Sequence, residues 1–215
     1  MKQILINSEP ANSLHIVFAG WGMDERPFEN WKEANEDLMI CFDYTDLCFD
    51  ESKLREYKHI RLTAWSMGVW AAASVFCNKN YRFNHSTAIN GTHTPVNNTK
   101  GIPVATFEAT LASLNEKNRE RFNRRMCNSD KDVMNAFYNI APKRDIGSLQ
   151  TELAAIGRNA LVNVPEYEWD LVIIGENDLI FPFQNQVNAW EGHQHTVIRP
   201  IAHYADFRLI INRNG

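Results

Sequence analysis

No run of the roughly 18 apolar residues that a membrane-spanning helix needs occurs in this 215-residue sequence, so a membrane-embedded function is not expected. The N-terminal stretch MKQILINSEPANSLHIVFAG is interrupted by Asn7, Ser8, Glu9 and Pro10 and lacks the continuous apolar core of a secretory signal. Cysteine is sparse. Cys41, Cys48, Cys77 and Cys127 form no C-x-x-C pair and have no zinc-like spacing with the histidines, which speaks against a thiol redox motif or a structural zinc site. Basic blocks are missing as well: 22 Lys and Arg stand against 26 Asp and Glu, a formal net charge of -4, so bulk charge gives no case for nucleic acid. There is no internal repeat and no low-complexity linker. The expectation is a cytoplasmic monomer with reduced thiols, with no nucleic-acid or membrane partner and no metal or organic cofactor.

What remains is a chain that is 44% hydrophobic, long enough for one sizeable core. Apolar runs of strand length recur at 14–18 (LHIVF), 38–44 (LMICFDY), 59–65 (HIRLTAW), 86–90 (STAIN), 102–107 (IPVATF), 171–175 (LVIIG) and 195–200 (HTVIRP). They do not alternate strictly, as expected when both faces of a sheet are covered. Helical segments fall between several of them, notably 29–36 and 67–79. This rhythm predicts an α/β domain over 1–215 on a mostly parallel central sheet with helices on both faces. The interval 109–168 breaks it: rich in charge and helix formers, it predicts a small helical cap insertion.

The stretch LTAWSMGVWAAA places Ser66 where an apolar strand ends and an apolar helix begins. A nucleophile elbow needs small residues two positions before and after its serine, and Ala64 and Gly68 supply them. The string alone is unspecific, because a serine before a helix commonly serves as an N-cap. Its context argues for more. A serine needs a base, and the base needs an acid to orient it. Asp178 follows the strand LVIIG and His203 follows the strand HTVIRP, which gives the chain order Ser, Asp, His. Asp170 and Glu176 are less well placed, and the other six histidines lie at strand beginnings or in loops without this order. The loop FAGWGMDERPF after an early strand could aim a backbone N–H at the same point, so the N–H groups of Trp21 and Met67 are the expected oxyanion donors, with the Trp21 indole walling the acyl pocket.

Together FAGWGMDERPF, CFDYTDL, IRLTAWSMGVWAAA, AINGT, GIPVATFEATL, RFNRRMC, DLIFPFQNQVNAW and AHYADF resemble the BioG type of pimeloyl-[acyl-carrier protein] methyl ester esterase across nearly the whole chain. The resemblance implies an α/β-hydrolase fold and a serine carboxylesterase of biotin synthesis that releases methanol from a carrier-bound pimeloyl methyl ester. Its catalytic serine, aspartate and histidine fall on Ser66, Asp178 and His203, and its oxyanion-loop tryptophan on Trp21. The partner implied is an acidic acyl carrier protein. Basic residues between 119 and 158, with Arg121, Arg124 and Arg125 foremost, are the expected docking surface, against the plainer reading of a solvated helix face. Two other functions share these features: a general small-acyl carboxylesterase or thioesterase, and a non-catalytic binding protein on the same fold. The second is the weaker, since no member of the triad is missing.

Overall fold

The computed structural model describes residues 1–8, 11–79, 81, 83–162 and 165–211. In chain order they form β1 (Lys2–Ile6), β2 (Ser13–Phe18), a short 3-10 helix (Arg26–Trp31), β3 (Glu36–Phe42), a second 3-10 helix (Ser52–Glu56), β4 (His59–Trp65) and α1 (Met67–Phe76). Next come β5 (His85–Ile89), then four helices, α2 (Val104–Ala112), α3 (Glu116–Met126), α4 (Lys131–Asn139) and α5 (Ile146–Ala160). The chain returns through β6 (Leu171–Gly175), α6 (Phe183–Ala189), β7 (Thr196–Arg199) and α7 (Phe207–Ile211).

One seven-stranded sheet runs in the order β1-β3-β2-β4-β5-β6-β7, with every neighbouring pair parallel except β1 and β3. Consecutive residues of β2, β4 and β6 are buried although their side chains point to opposite faces, so the sheet is covered on both sides. The strand order reverses between β2 and β4. From β2 the chain moves to β3 on one side, and from β4 to β5 on the other, which opens a crevice at their carboxyl ends. Phe18 pairs with Ala64 there, so residues 19–22 and Ser66 emerge side by side. The ladder joining β5 to β6 is the shortest, three pairs from Thr87–Leu171 to Ile89–Ile173. Side chains extend it at both ends. Asp170 accepts from the Ser86 N–H and hydroxyl, and Asn90 Oδ1 accepts from Gly175 N–H at 2.6 Å.

Three sequence expectations change. The run at 102–107 is not a strand: Ile102 makes one isolated bridge to Val96, and α2 starts at Val104. Pro103 has no N–H for a ladder and its fixed φ suits a helix start, while β5 pairs directly with β6 and leaves no slot between them. The helical segment at 29–36 shrinks to the 3-10 turn Arg26–Trp31, ended because Glu36 already opens β3. The strand β1, KQILI, was not among the apolar runs. It is an edge strand with an exposed or half-buried pattern, so burial left little mark on its sequence. Between β5 and β6, Asn115, Asp130 and Asp145 cap α3, α4 and α5 by accepting from first-turn N–H groups.

Candidate active site

Ser66 joins β4 to α1 with φ 60° and ψ −126°, a backbone that residues other than glycine rarely adopt. Although it stands at the N-cap position, its side chain makes no capping hydrogen bond, which separates it from an ordinary helix-starting serine. The turn is possible because its neighbours are small. A Cβ on Gly68 would lie 2.3 Å from Phe18 O, and one on Gly91 would lie 2.2 Å from Ser66 O. Ala64 is fully buried in β4, and its methyl group is accommodated.

Ser66 Oγ lies 2.9 Å from His203 Nε2, and His203 Nδ1 lies 2.8 Å from Asp178 Oδ2. All three side chains are buried. Asp178 follows β6, where its Oδ1 accepts from Ile180 and Phe181 N–H at 2.7 and 2.9 Å; Gln186 Nε2 donates to its other oxygen. With these donors fixed, Asp178 Oδ2 is held toward the imidazole. His203 sits in the loop after β7. Trp65 Nε1 donates to His203 O at 2.8 Å, and Asn90 Nδ2 donates to Ala202 O and His203 O. The Phe181 ring lies parallel to the imidazole, with centroids 5.8 Å apart.

The rejected alternatives lie elsewhere. Asp170 is occupied by Ser86, and Glu176 is exposed in the turn after β6. His15 bonds Thr63, and His93 accepts from the Trp169 indole. What sequence reasoning missed is the support: Trp65, Asn90 and Gln186. Asn90 has φ 48° immediately after β5, and an asparagine at a strand end before glycine was the available signal.

The serine opens on a narrow cleft lined mostly by apolar groups including Trp21, Met67, Phe107, Phe122, Met126 and Leu153. Met67 is the first residue of α1, so its N–H has no acceptor within the helix. Trp21 borders the same cleft, and among the described residues its backbone N–H donates to nothing. A second groove, between α2 and α3, shares Thr106, Thr110, Phe122 and Arg125 with the cleft and leads outward past Arg121.

The basic residues separate into distinct settings. Arg121 and Arg125 border the groove, and Arg125 also donates to Leu179 O. Arg124 is not among the residues that border the groove and pairs with Glu120 four residues earlier. Arg119 pairs with Glu116. Arg144, expected on a basic surface, is instead buried against Glu152. Among the described residues no helix is long and apolar enough to cross a membrane, and no group of three or more His, Cys, Asp or Glu side chains could hold a metal ion.

Comparison with known proteins gives the chain its family. A family model described as pimeloyl-ACP methyl esterase BioG matches residues 1–209. A protein of Bacteroides fragilis named malonyl-[acyl-carrier protein] O-methyltransferase is 47% identical over 191 residues, which are 88% of this chain and 39% of that protein. The chain therefore spans about two fifths of that relative's length. An uncharacterized protein of Haemophilus influenzae is 37% identical over 182 residues, 82% of this chain and 81% of that one. The crystal structure of BioG from Haemophilus influenzae superposes with a TM-score of 0.88 at 34% identity, covering 97% and 96% of the two chains. An esterase from Exiguobacterium antarcticum, at 15% identity and TM-score 0.69 over 99% and 91% of the chains, shares the α/β-hydrolase fold.

Proposed function

Since the chain belongs to the pimeloyl-ACP methyl esterase BioG family, we propose that it hydrolyses the methyl ester of a pimeloyl group carried on acyl carrier protein, in biotin synthesis, through Ser66, His203 and Asp178. The observation that carries the mechanism is the continuous contact from Asp178 through His203 to Ser66, with the serine on a strained turn facing an apolar cleft. Asp178 selects the tautomer with its proton on His203 Nδ1 and leaves Nε2 free to accept the Ser66 proton. Ser66 Oγ attacks the ester carbonyl carbon, and the carbonyl oxygen gains charge that the Trp21 and Met67 N–H groups stabilise. Collapse of this adduct breaks the bond to the methoxy oxygen, which takes the proton from His203 and leaves as methanol. Water, deprotonated by His203, then attacks the acyl-enzyme and frees the pimeloyl carboxylate with Ser66 restored.

The helices between β5 and β6 form the cap in this reading. The groove between α2 and α3 carries the acyl chain and its arm toward the carrier, past Arg121 and Arg125. Four free cysteines suit the reducing interior of a cell. The test offers carrier-bound pimeloyl methyl ester to the protein and follows the loss of one methyl group by mass. Turnover of small free esters with no hydrolysis of the carrier-bound substrate would identify a general esterase instead.

A further inference from the structure

Glu152 is completely buried in the middle of α5, yet neither Ser66, His203 nor Asp178 touches it. Its carboxylate accepts from three donors on three segments. Oε2 accepts from Gly22 N–H at 3.3 Å and from Arg144 Nη1 at 2.6 Å, and Oε1 accepts from Tyr44 N–H at 3.0 Å. Gly22 belongs to the loop after β2, and Tyr44 follows β3. Both residues lie outside the strands, and both N–H groups go to Glu152. Burial raises the Glu152 pKa, opposed by Arg144 and the two backbone donors. A carboxylate here serves no packing need that an apolar side chain would not meet better.

The same few residues hold the rest of the loop. Trp21 Nε1 donates to Leu149 O at 3.0 Å, Arg144 Nη1 donates to Met23 O, and Lys143 N–H donates to Asp24 Oδ2 at 2.7 Å. Arg144 is itself fixed by Ser148 Oγ and by Asp43. Residues 21–24 are thus fastened at four consecutive positions to the first half of α5 and the segment before it. Gly22, at φ 79°, is the turn that sends its own N–H to Glu152. With the indole anchored on one side and the Trp21–Gly22 peptide plane held on the other, Trp21 is fixed at the cleft it lines, and among the described residues its backbone N–H has no acceptor.

We infer that Glu152, locked by Arg144, is a positioning residue that sets the direction of the Trp21 oxyanion donor. This rests on the esterase reading above, and it adds a role for α5 beyond covering the cleft. Losing the clamp lets residues 21–24 rotate, and the donor is lost for the charge that develops on the carbonyl oxygen while substrate binding is largely unaffected.

The test compares Glu152→Gln with the wild-type chain, counting active sites by fluorophosphonate titration. Gln offers one acceptor oxygen where three donors now converge, and its amide faces a donor. On a small neutral methyl ester, kcat per titrated site is expected to fall by about 10- to 100-fold with KM within about twofold, less than the 10²- to 10³-fold lost when an oxyanion donor is removed outright. The inhibition constant of a trifluoromethyl ketone, which forms a tetrahedral oxyanion on the serine, is expected to rise by the same factor. Unchanged kcat per site and unchanged ketone affinity overturn the inference, even if the melting temperature falls. Should Glu152→Gln not fold, Arg144→Lys keeps a charge opposite Glu152 but loses the fork to Met23 O and Ser148, and is expected to show the same paired losses more weakly; its failure to do so is equally decisive. A wild-type chain that does not bind the ketone would sink the esterase reading itself, and this inference with it.

Discussion

A serine at φ 60° and ψ −126° carries strain of roughly 1–3 kcal/mol, and the surrounding turn must hold it there. On the proposed mechanism, Ser66→Ala removes the nucleophile and should lower kcat by about 10⁶-fold, and Asp178→Asn should cost about 10⁴-fold by favouring the wrong imidazole tautomer. Initial rates on a methyl ester, with fluorophosphonate labelling as the site count, check both. Two other histidines matter for stability. Burial, aided by Arg61, holds His15 well below its ordinary value, and burial with His193 nearby pushes His93 down to about 4. The unfolded chain binds these protons first, so stability is intact above about pH 6.5 and falls as the pH drops through that value toward the folded pKa, by up to about 1.4 kcal/mol per pH unit for each histidine. Thermal melts at pH 7 and pH 5 should show the decline. His15→Phe, which cannot titrate, should make it shallower whatever its effect on the pH 7 value. At this scale the sequence was most legible for Ser66, Asp178 and His203, expected together from their chain order and found within hydrogen-bonding distance of one another. It was silent on Glu152 and offered only the asparagine before a glycine as a signal for Asn90, because Tyr44 and His203, which they bond, lie more than a hundred residues away in the chain and local spacing records no such contacts.

Elements were most legible where both faces are buried. The strands β2, β3, β4 and β6 and the helix α1 each leave a dense apolar run, whereas the edge strand β1 does not; β7 is an edge strand too, half-buried or exposed along its length, and was marked by the apolar pair Val197 and Ile198. The strand expected at 102–107 failed because apolar content cannot distinguish a strand from the start of a partly buried helix, and only Pro103 hinted at the second. The approach of α1 to β2 gives a sharper test. Gly68→Ala would drive a methyl group into Phe18 O and Ala19 O, both backbone atoms that cannot rotate away. The helix must then shift, which should cost about 1–3 kcal/mol of stability and carry Ser66 out of reach of His203. Denaturant melts with kcat on the same samples would show it. A stability loss with full activity would mean that the turn tolerates the movement.

Over the whole molecule, the question is where a large, acidic partner would approach. Arg121 borders the groove that leads from the cleft, while Arg124 lies outside that lining and is engaged by Glu120. Arg121→Glu should therefore reduce kcat/KM for carrier-bound substrate by about 10-fold, equivalent to about 1.4 kcal/mol, and lose much of that contrast at high salt. Arg124→Glu should do much less, and small free esters should respond to neither. Equal losses for both variants would assign docking to the general charge of α3.

The three-pair ladder between β5 and β6 also divides the machinery: Ser66 and the Trp21 loop lie on one side of this seam, Asp178 and His203 on the other. Two side-chain staples close it, Asp170 at one end and Asn90 beside the imidazole. A narrow seam is where a sheet begins to part, so Ser66 and His203 should separate before either half melts. In a urea titration, esterase activity should vanish at a lower concentration than the far-ultraviolet circular dichroism, and Asn90→Ala should widen the gap. Coincident transitions would show that the sheet yields as one piece, with Ser66 and His203 parting only when everything does.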